Sequence, residues 1–540
     1  MVRTRRLGPL LLLIFTLIGL TAWGGQSGAA QEEEEEINRQ TTIVVDSTEY
    51  EWWLIRWTDN LILCQLFIDH EGLPTDQEVI KSCSEDTYNS WKSTPPCTEA
   101  QEGKSTFECT GLYNYFAGFK SGRREVVVDL PLPTVWLTIS GCNLSPPENF
   151  CQQIPNLVLT GEEPLPNESI TRIIARIEGN ELSCQGGTCE IPLRPSPLGG
   201  TPIEFWAESS FGDESEHFTG LIRVIESGVP SEPRQNGWYA DVLSSQWRGG
   251  PVESCAQVWQ AFPPPGGPPL WLTTPTEDTL LASDEPYQYL AGRLIFQGLV
   301  DSSECANNGL LSNGYADACG LAKARTMVDL WQNQFDEQIH SISLELGLPA
   351  QIVKNLFAQE SQFWPGTFRV VQENGLGQLT DLGADTVLLW NTSFFNQFCP
   401  LVLADEACAR GYLRLDDTER SILRGALATE ANSDCADCPA GVDLTHADFS
   451  VLLFAQGILA NCGQVGQTVT NATQETPGAV SSYEDLWRFT LANYNGGPGC
   501  LAYAIHTTWS LRESLAWENV SSHFTQPCQG VIGYVELITR

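Results

Sequence analysis

The segment LPAQIVKNLFAQESQFW, residues 348–364, predicts a helix that carries the candidate functional residue Glu360. Pro349 suits a first helical turn, and Pro365-Gly366 ends the pattern. Glu360 lies on the same helical face as the apolar residues, which are Ile352, Val353, Leu356, Phe357 and Phe363. Burial disfavours an ionised carboxylate, so the pKa of Glu360 should rise and make it a candidate proton donor. The pattern alone also allows a structural role, in which Glu360 caps the helix or pairs with a buried arginine.

Two later segments place polar side chains next to glycines. In GLGQ, residues 375–378, two glycines would let the backbone approach a ligand closely, and Gln378 offers an amide. In YNGGPG, residues 494–499, a phenol and an amide stand at the end of a predicted helix beside a glycine-rich turn. Together with Glu360, these segments predict a cleft suited to a sugar.

The three segments resemble, in order and local spacing, the glutamate-serine, glycine-leucine-methionine-glutamine and tyrosine-asparagine motifs of soluble lytic transglycosylases. The resemblance covers residues 320–540 and implies a mainly helical, lysozyme-like domain that acts on peptidoglycan glycan strands. It implies that Glu360 is the sole catalytic acid and base, and that Tyr494 and Asn495 orient the acid and the sugar. The residues that it implies for substrate binding are Ser361, Phe363, Gly375, Gln378, Tyr494 and Asn495.

The implied chemistry is cleavage, without water, of the β-1,4 bond between N-acetylmuramic acid and N-acetylglucosamine. Glu360 would protonate the glycosidic oxygen, and the resulting carboxylate would deprotonate the muramic C6 hydroxyl, which closes a 1,6-anhydro ring. This scheme needs one carboxylate, whereas most glycosidases use two.

Four positions depart from the family's pattern. Gly377 stands where methionine is usual, which predicts that an apolar wall of the cleft is missing. Serine, glycine and alanine are replaced by Arg369, Gln372 and Glu373. Three alternatives therefore stay open: hydrolysis of glycan in the manner of goose-type lysozyme with Glu373 as a second carboxylate, binding of peptidoglycan without cleavage, and a structural role in the envelope.

The first thirty residues have the pattern of an export signal. Three arginines precede an apolar run from Leu7 to Trp23, and small residues follow up to Ala30. We therefore expect a secreted or cell-envelope protein. The run is near the shortest length that spans a membrane, so membrane contact is expected only through this segment, if it stays uncleaved. The formal charge of -38 argues against nucleic acid as a partner.

Eighteen cysteines in an exported chain predict disulfide bonds. Cys184 and Cys189 flank a Gln-Gly-Gly-Thr turn and are predicted to pair. Cys435 and Cys438 form a single C-x-x-C, which we interpret as structural because no second such pair and no H-E-x-x-H motif accompanies it. No cofactor and no metal site is predicted.

The predicted fold class is multidomain, an N-terminal β-sandwich of immunoglobulin-like type followed by a mainly α, lysozyme-like domain. Short β-branched or aromatic runs bounded by turn residues, between 125 and 227, predict the strands, starting with 126–128. One or two helices are predicted at 322–346, and further helices at 349–362, 418–431, 445–462, 483–493 and 500–509. The regions are a signal peptide (1–30), an acidic spacer with a Cys-containing region of unknown fold (31–120), the β-sandwich (121–230), a Pro/Gly-rich and Cys-containing connecting region (231–319) and the lysozyme-like domain (320–540).

Overall fold

The computed structural model describes residues 39–99, 107–143, 150–228, 236–249, 254–283, 286–366 and 373–540. The predicted signal peptide, Arg369 and Gln372 lie outside the described residues. Two compact units make up the chain, one ending at Asp129 and the other running from Leu130 to Arg540.

The first unit contains an antiparallel sheet of three strands and two short helices. Its elements are β1 (Gln40–Arg56), β2 (Ile62–Ile68), α1 (Asp76–Cys83), α2 (Glu85–Lys92), β3 (Thr98–Glu99), β4 (Phe107–Glu108) and β5 (Leu112–Asp129). The sheet order is β2-β1-β5, and β1 pairs with β5 from Gln40 through Arg56. Residues 126–128, predicted as the first strand of the β-sandwich, therefore belong to β5. The predicted boundary at 120/121 falls inside this strand because its hydrogen-bonded ladder with β1 is continuous.

One face of this sheet packs on α1. Leu54 and Leu66 form a small buried core with Ile68 and Val79. Thr75 begins α1 with a capping box, in which its side chain accepts from the Glu78 backbone and the Glu78 side chain accepts from the Thr75 backbone. Burial of Val79 packs the helix on the sheet, and the capping box sets where the helix begins.

The second unit begins with eight antiparallel strands, in agreement with the β region that the sequence predicts. They are β6 (Thr134–Asn143), β7 (Phe150–Glu162), β8 (Ile170–Ile177), β9 (Asn180–Gln185), β10 (Thr188–Pro192), β11 (Thr201–Ser209), β12 (Phe218–Glu226) and β13 (Trp238–Leu243). The order is β10-β7-β13-β12-β11-β8-β9, with β6 also paired to β7. The two strands at the ends of this order are joined by Cys184–Cys189, so the sheet curls toward itself. Strands β9 and β13 were not predicted.

The rest of the second unit is mostly helical, as predicted. Its helices are α3 (Ser254–Trp259), α4 (Gln288–Phe296), α5 (Ala318–Asn333), α6 (Asp336–Leu346), α7 (Ala350–Ser361), α8 (Asp381–Trp390), α9 (Thr392–Phe398), α10 (Asp405–Cys408), α11 (Asp417–Ala431), α12 (Leu444–Thr473), α13 (Pro477–Val480), α14 (Tyr483–Ser510), α15 (Trp517–Ser522) and α16 (Gly530–Ile538). Helix α12 is the centre of this part and packs against α3, α6, α8, α11 and α14. Within the described residues it has the length and apolarity of a membrane span, but 67% of its most apolar stretch is buried in the protein.

One prediction about this part is confirmed and another is wrong. The helices predicted at 483–493 and 500–509 are both present within α14, on either side of a kink at Gly497, whose φ of 77° is not helical. Residues 254–319 are part of the helical core rather than a connecting region. Trp259 is fully buried and its indole N–H donates to the carbonyl of Cys462 at 2.9 Å. The apolar runs here are too short to give a clear period, and only long-range packing makes them part of the core.

Nine disulfide bonds use all eighteen cysteines. The predicted Cys184–Cys189 pair is confirmed, and Cys435 and Cys438 are bonded to each other. The remaining bonds are Cys64–Cys83, Cys97–Cys109, Cys142–Cys151, Cys255–Cys462, Cys305–Cys319, Cys399–Cys408 and Cys500–Cys528. This framework indicates an oxidising, extracytoplasmic environment.

Candidate functional site

A cleft of about 350 Å³ opens between the end of α7, the turn 375–378, α8, α12 and α14. Four of the predicted site residues line it: Glu360, Gln378, Tyr494 and Asn495. They come from three segments that are far apart in the chain. The other lining residues are Glu373, Gly377, Leu379, Thr380, Leu382, Gly383, Thr386, Val387, Leu453, Phe454, Gly457, Asn461, Asn493, Gly496, Gly497 and Pro498.

Glu360 lies in the last turn of α7 and is half-buried. The apolar stripe that the sequence predicts for this helix is confirmed, since all five of its residues are buried. The helix ends at Ser361, and the next residue, Gln362, takes a left-handed conformation with φ of 50°. The carboxylate thus sits where the buried stripe meets the cleft.

Two tyrosines surround this carboxylate. The Tyr534 hydroxyl donates to Glu360 Oε1, and the Tyr494 hydroxyl donates to the Gly377 carbonyl at 2.7 Å. Burial raises the pKa of both phenols well above their ordinary value, and the nearby Glu360 carboxylate raises it further. Both hydroxyls therefore stay protonated and serve as hydrogen-bond donors over the whole physiological pH range.

Sequence reasoning missed Tyr534. It lies on α16, a helix that was not predicted, and it belongs to no recognisable motif. The available signal was weak: Val531, Tyr534, Val535 and Ile538 follow helical spacing, and all four are buried. Such a pattern indicates a core helix and does not distinguish a tyrosine that faces a carboxylate.

Ser361 does not lie in the cleft, contrary to the prediction. It is fully buried, and its hydroxyl donates to the Leu376 carbonyl at 2.6 Å. The hydroxyl therefore holds the end of α7 against the turn 375–378 and is not free to bind substrate. Its neighbour Glu360 faces the cleft because adjacent residues of a helix point in different directions.

Phe363 and Gly375 are also placed in the core rather than on the surface of the cleft. Phe363 is fully buried and stacks on Phe335, with ring centroids 6.2 Å apart. Gly375 has φ of 74°, and a Cβ there would lie 2.5 Å from Ser450 Oγ and 2.7 Å from the Ala431 carbonyl. Glycine is needed at this position because the turn is tight and packs on α11 and α12. The close approach is to protein atoms and not to a ligand.

The apolar wall predicted to be missing at Gly377 is supplied by another residue. A Cβ at Gly377 would lie 2.3 Å from the ring of Phe454, which projects from α12 and lines the cleft. The aromatic ring therefore occupies the space that a longer side chain at position 377 would enter. Packing between distant segments replaces the expected methionine.

We expect Gly377→Met to destabilise the protein by about 1–3 kcal/mol, because the new side chain overpacks the site against Phe454. Urea denaturation measures the effect. Gly425→Met is the matched control, since a Cβ at Gly425 on α11 meets open space. The double variant Gly377→Met/Phe454→Ala should lose less stability than the sum of the two single changes. Additive losses would contradict the assignment of Phe454 to this space.

Two buried amide oxygens at the cleft have no hydrogen-bond partner. Gln378 donates through Nε2 to the Gly375 carbonyl at 2.8 Å, and its Oε1 is unpartnered. Asn493 donates to Asn461 and Gln464, and its Oδ1 is unpartnered. Buried polar atoms normally have partners. These acceptors favour a ligand that carries hydroxyl or amide donors, and Asn493 was not predicted.

Glu373, which was considered as a second carboxylate, also lines the cleft and is half-buried. The two altered positions that precede it, Arg369 and Gln372, lie outside the described residues. Within the described ranges no group of three or more histidine, cysteine, aspartate or glutamate side chains is placed to hold a metal ion.

No protein-family model matches the chain, and no curated protein matches its sequence. The cleft combines a half-buried carboxylate that accepts from a phenol, a second carboxylate, and amide oxygens that can accept hydrogen bonds. Such an arrangement suits proton transfer to a polar, neutral ligand.

Proposed function

We propose that the chain is an exported lytic transglycosylase of peptidoglycan. In this proposal the helical part has a lysozyme-like fold, and the β part is an immunoglobulin-like module used for spacing or adhesion. The observation that carries the proposal is the convergence of Glu360, Gln378 and Tyr494 on one cleft. The nine disulfides and the pattern of the first thirty residues support export.

Glu360 acts first as the acid. It transfers its proton to the oxygen of the β-1,4 bond, and the bond to the departing sugar breaks. The carboxylate then takes the proton of the C6 hydroxyl, whose oxygen bonds to the anomeric carbon and closes the anhydro ring. The leaving sugar keeps the first proton as its new hydroxyl, and the proton from the C6 hydroxyl restores the acid form of Glu360, so one carboxylate serves both steps and no water is consumed.

The neighbouring residues serve this chemistry in distinct ways. Tyr534 holds the carboxylate through a hydrogen bond, and Tyr494 holds the Gly377 carbonyl. The ring of Phe454 offers an apolar surface to the sugar. The unpartnered oxygens of Gln378 and Asn493 accept from donors on the glycan.

The charge of the chain does not select a glycan substrate, and it affects only how such a substrate is bound. A formal charge of -38 gives no attraction toward an anionic polymer, so binding depends on close contacts inside the cleft. Neutral hydroxyl and acetamido groups supply such contacts without requiring a positive surface.

A second candidate is hydrolysis of the same bond. Glu373 favours it, because this residue lines the cleft together with Glu360 and could activate a water molecule. Replacing Glu373 distinguishes the two reactions, because hydrolysis would need this second carboxylate whereas transglycosylation uses Glu360 alone.

Digestion of purified peptidoglycan with mass analysis of the products tests the proposal. We expect muropeptides lighter by one water than hydrolytic products, and we expect Glu373→Gln to retain their release. Reducing-end products that disappear in Glu373→Gln would move the assignment to the hydrolase. Binding without products would move it to a peptidoglycan-binding protein.

A further inference from the structure

We propose that Tyr534 is a positioning residue for Glu360 and that helix α16 sets the geometry of this carboxylate. The inference rests on the proposed function and deepens it, because it identifies how the acid is held. Tyr534 is 8% exposed, and its hydroxyl donates to Glu360 Oε1. This contact ties the last helix of the chain to the end of α7.

Tyr494 and Tyr534 donate their hydroxyl protons to different acceptors. A phenol has one proton to donate, and that of Tyr494 goes to the Gly377 carbonyl at 2.7 Å. The resemblance assigned orientation of the acid to Tyr494. The hydrogen-bond geometry gives the donor role at Glu360 to Tyr534 and leaves Tyr494 to fix the turn 375–378.

Helix α16 is held at both ends by the elements that build the site. At its start, Cys528 is bonded to Cys500 of α14. At its end, the Asn355 side chain of α7 donates to the Ile538 carbonyl at 2.9 Å. Between them, a Cβ at Gly496 would lie 2.5 Å from the Val531 side chain, so α14 packs on α16 closely enough that a larger residue at this position would force a shift.

The hydrogen bond has two consequences for the carboxyl group. It fixes the side-chain rotamer of Glu360, and it favours the charged form that exists after the first proton transfer. Among the residues that the structure describes, the titratable groups beside Glu360 include the phenols of Tyr494 and Tyr534, and the Glu373 carboxylate lines the same cleft. Of these, Tyr534 donates directly to it.

The test compares Tyr534→Phe with Tyr412→Phe. Tyr412 is the matched control, because it is also buried and its hydroxyl also donates to a carboxylate, that of Asp385. We expect Tyr534→Phe to lower kcat about tenfold with KM unchanged, and to move the alkaline limb of the pH–rate profile about one unit higher. The limb moves to higher pH because, without the Tyr534 hydroxyl, the charged form of Glu360 is less stable and the carboxyl group keeps its proton to higher pH. Tyr412→Phe should change neither quantity.

A second measurement does not need activity. Carbon-13 NMR of labelled glutamate, with the Glu360 carboxyl assigned from its loss in Glu360→Gln, gives the titration midpoint directly. We expect this midpoint to rise in Tyr534→Phe and to stay constant in Tyr412→Phe. If the protein cleaves no glycan but the midpoint rises, the proposed function fails and the positioning role stands. If cleavage occurs but Tyr534→Phe leaves kcat and the midpoint unchanged, the positioning role fails alone.

The disulfide supplies an independent variant. Cys500→Ser/Cys528→Ser frees the start of α16 and should lower kcat in the same direction as Tyr534→Phe. Cys399→Ser/Cys408→Ser removes a bond of similar kind that does not reach the cleft, and should leave kcat unchanged. Equal effects of the two pairs would show that general loss of stability, rather than α16, controls Glu360.

Discussion

Replacing Glu360 with glutamine should abolish glycan cleavage while leaving the fold intact. Glutamine keeps the size of the side chain and an oxygen that can accept from Tyr534, but it has no proton to transfer. A positioned acid and base contributes roughly 10²–10⁴-fold to a reaction rate, so we expect the rate of muropeptide release to fall by at least this factor. Release of soluble fragments from purified peptidoglycan measures the effect.

The control for this change is Glu337→Gln on α6, where the glutamate is exposed. It should leave both cleavage and stability unchanged. The Glu360→Gln variant should unfold at the same urea concentration as the unaltered protein and still sediment with peptidoglycan. Cleavage by this variant at a near-normal rate would exclude Glu360 as the catalytic acid.

The largest expected effect on stability comes from the ion pair between Lys354 and Asp336. Lys354 is fully buried and Asp336 is 5% exposed. Burial lowers the pKa of Lys354 and raises that of Asp336, while the contact between them opposes both shifts. Lys354→Met would leave an unpaired buried carboxylate, and we expect a loss of about 3–5 kcal/mol in the free energy of unfolding.

Urea denaturation tests this expectation with two comparisons. Lys323→Met removes a lysine from an exposed ion pair with Glu304, so it should leave the free energy of unfolding nearly unchanged. Lys354→Met/Asp336→Leu removes both buried charges and should recover most of the stability lost in the single variant. A small loss in Lys354→Met would mean that the carboxylate finds water or another partner when the lysine is absent.

The ion pair also illustrates a limit of reasoning from local pattern. Lys354 lies in the segment 348–364, where the apolar stripe was predicted correctly, yet a lysine at this position would ordinarily be placed on the solvent side. It is buried because Asp336 of the preceding helix meets it there. An ion pair between two helices does not alter the hydrophobic periodicity of either helix, so the sequence pattern does not reveal it.

The same distinction applies to the motifs around the cleft. Local spacing correctly singled out Glu360, Gln378, Tyr494 and Asn495 as residues that meet in one place. It could not separate them from Ser361, whose hydroxyl turns inward to the Leu376 carbonyl. Which side of a helix end faces a cleft depends on the element packed against it, and sequence spacing does not contain that information.

The sequence by itself determined the order of a β region and a helical region, the buried stripe of α7, the use of disulfides and the Cys184–Cys189 pair, because period, turn residues and cysteine content act locally. Only the tertiary structure decided that Phe454 fills the space beside Gly377 and that Tyr534 faces Glu360. Both contacts join residues from distant parts of the chain. Close packing selects such partners by shape and by the need to satisfy buried polar groups, and neither requirement is visible before the chain is folded.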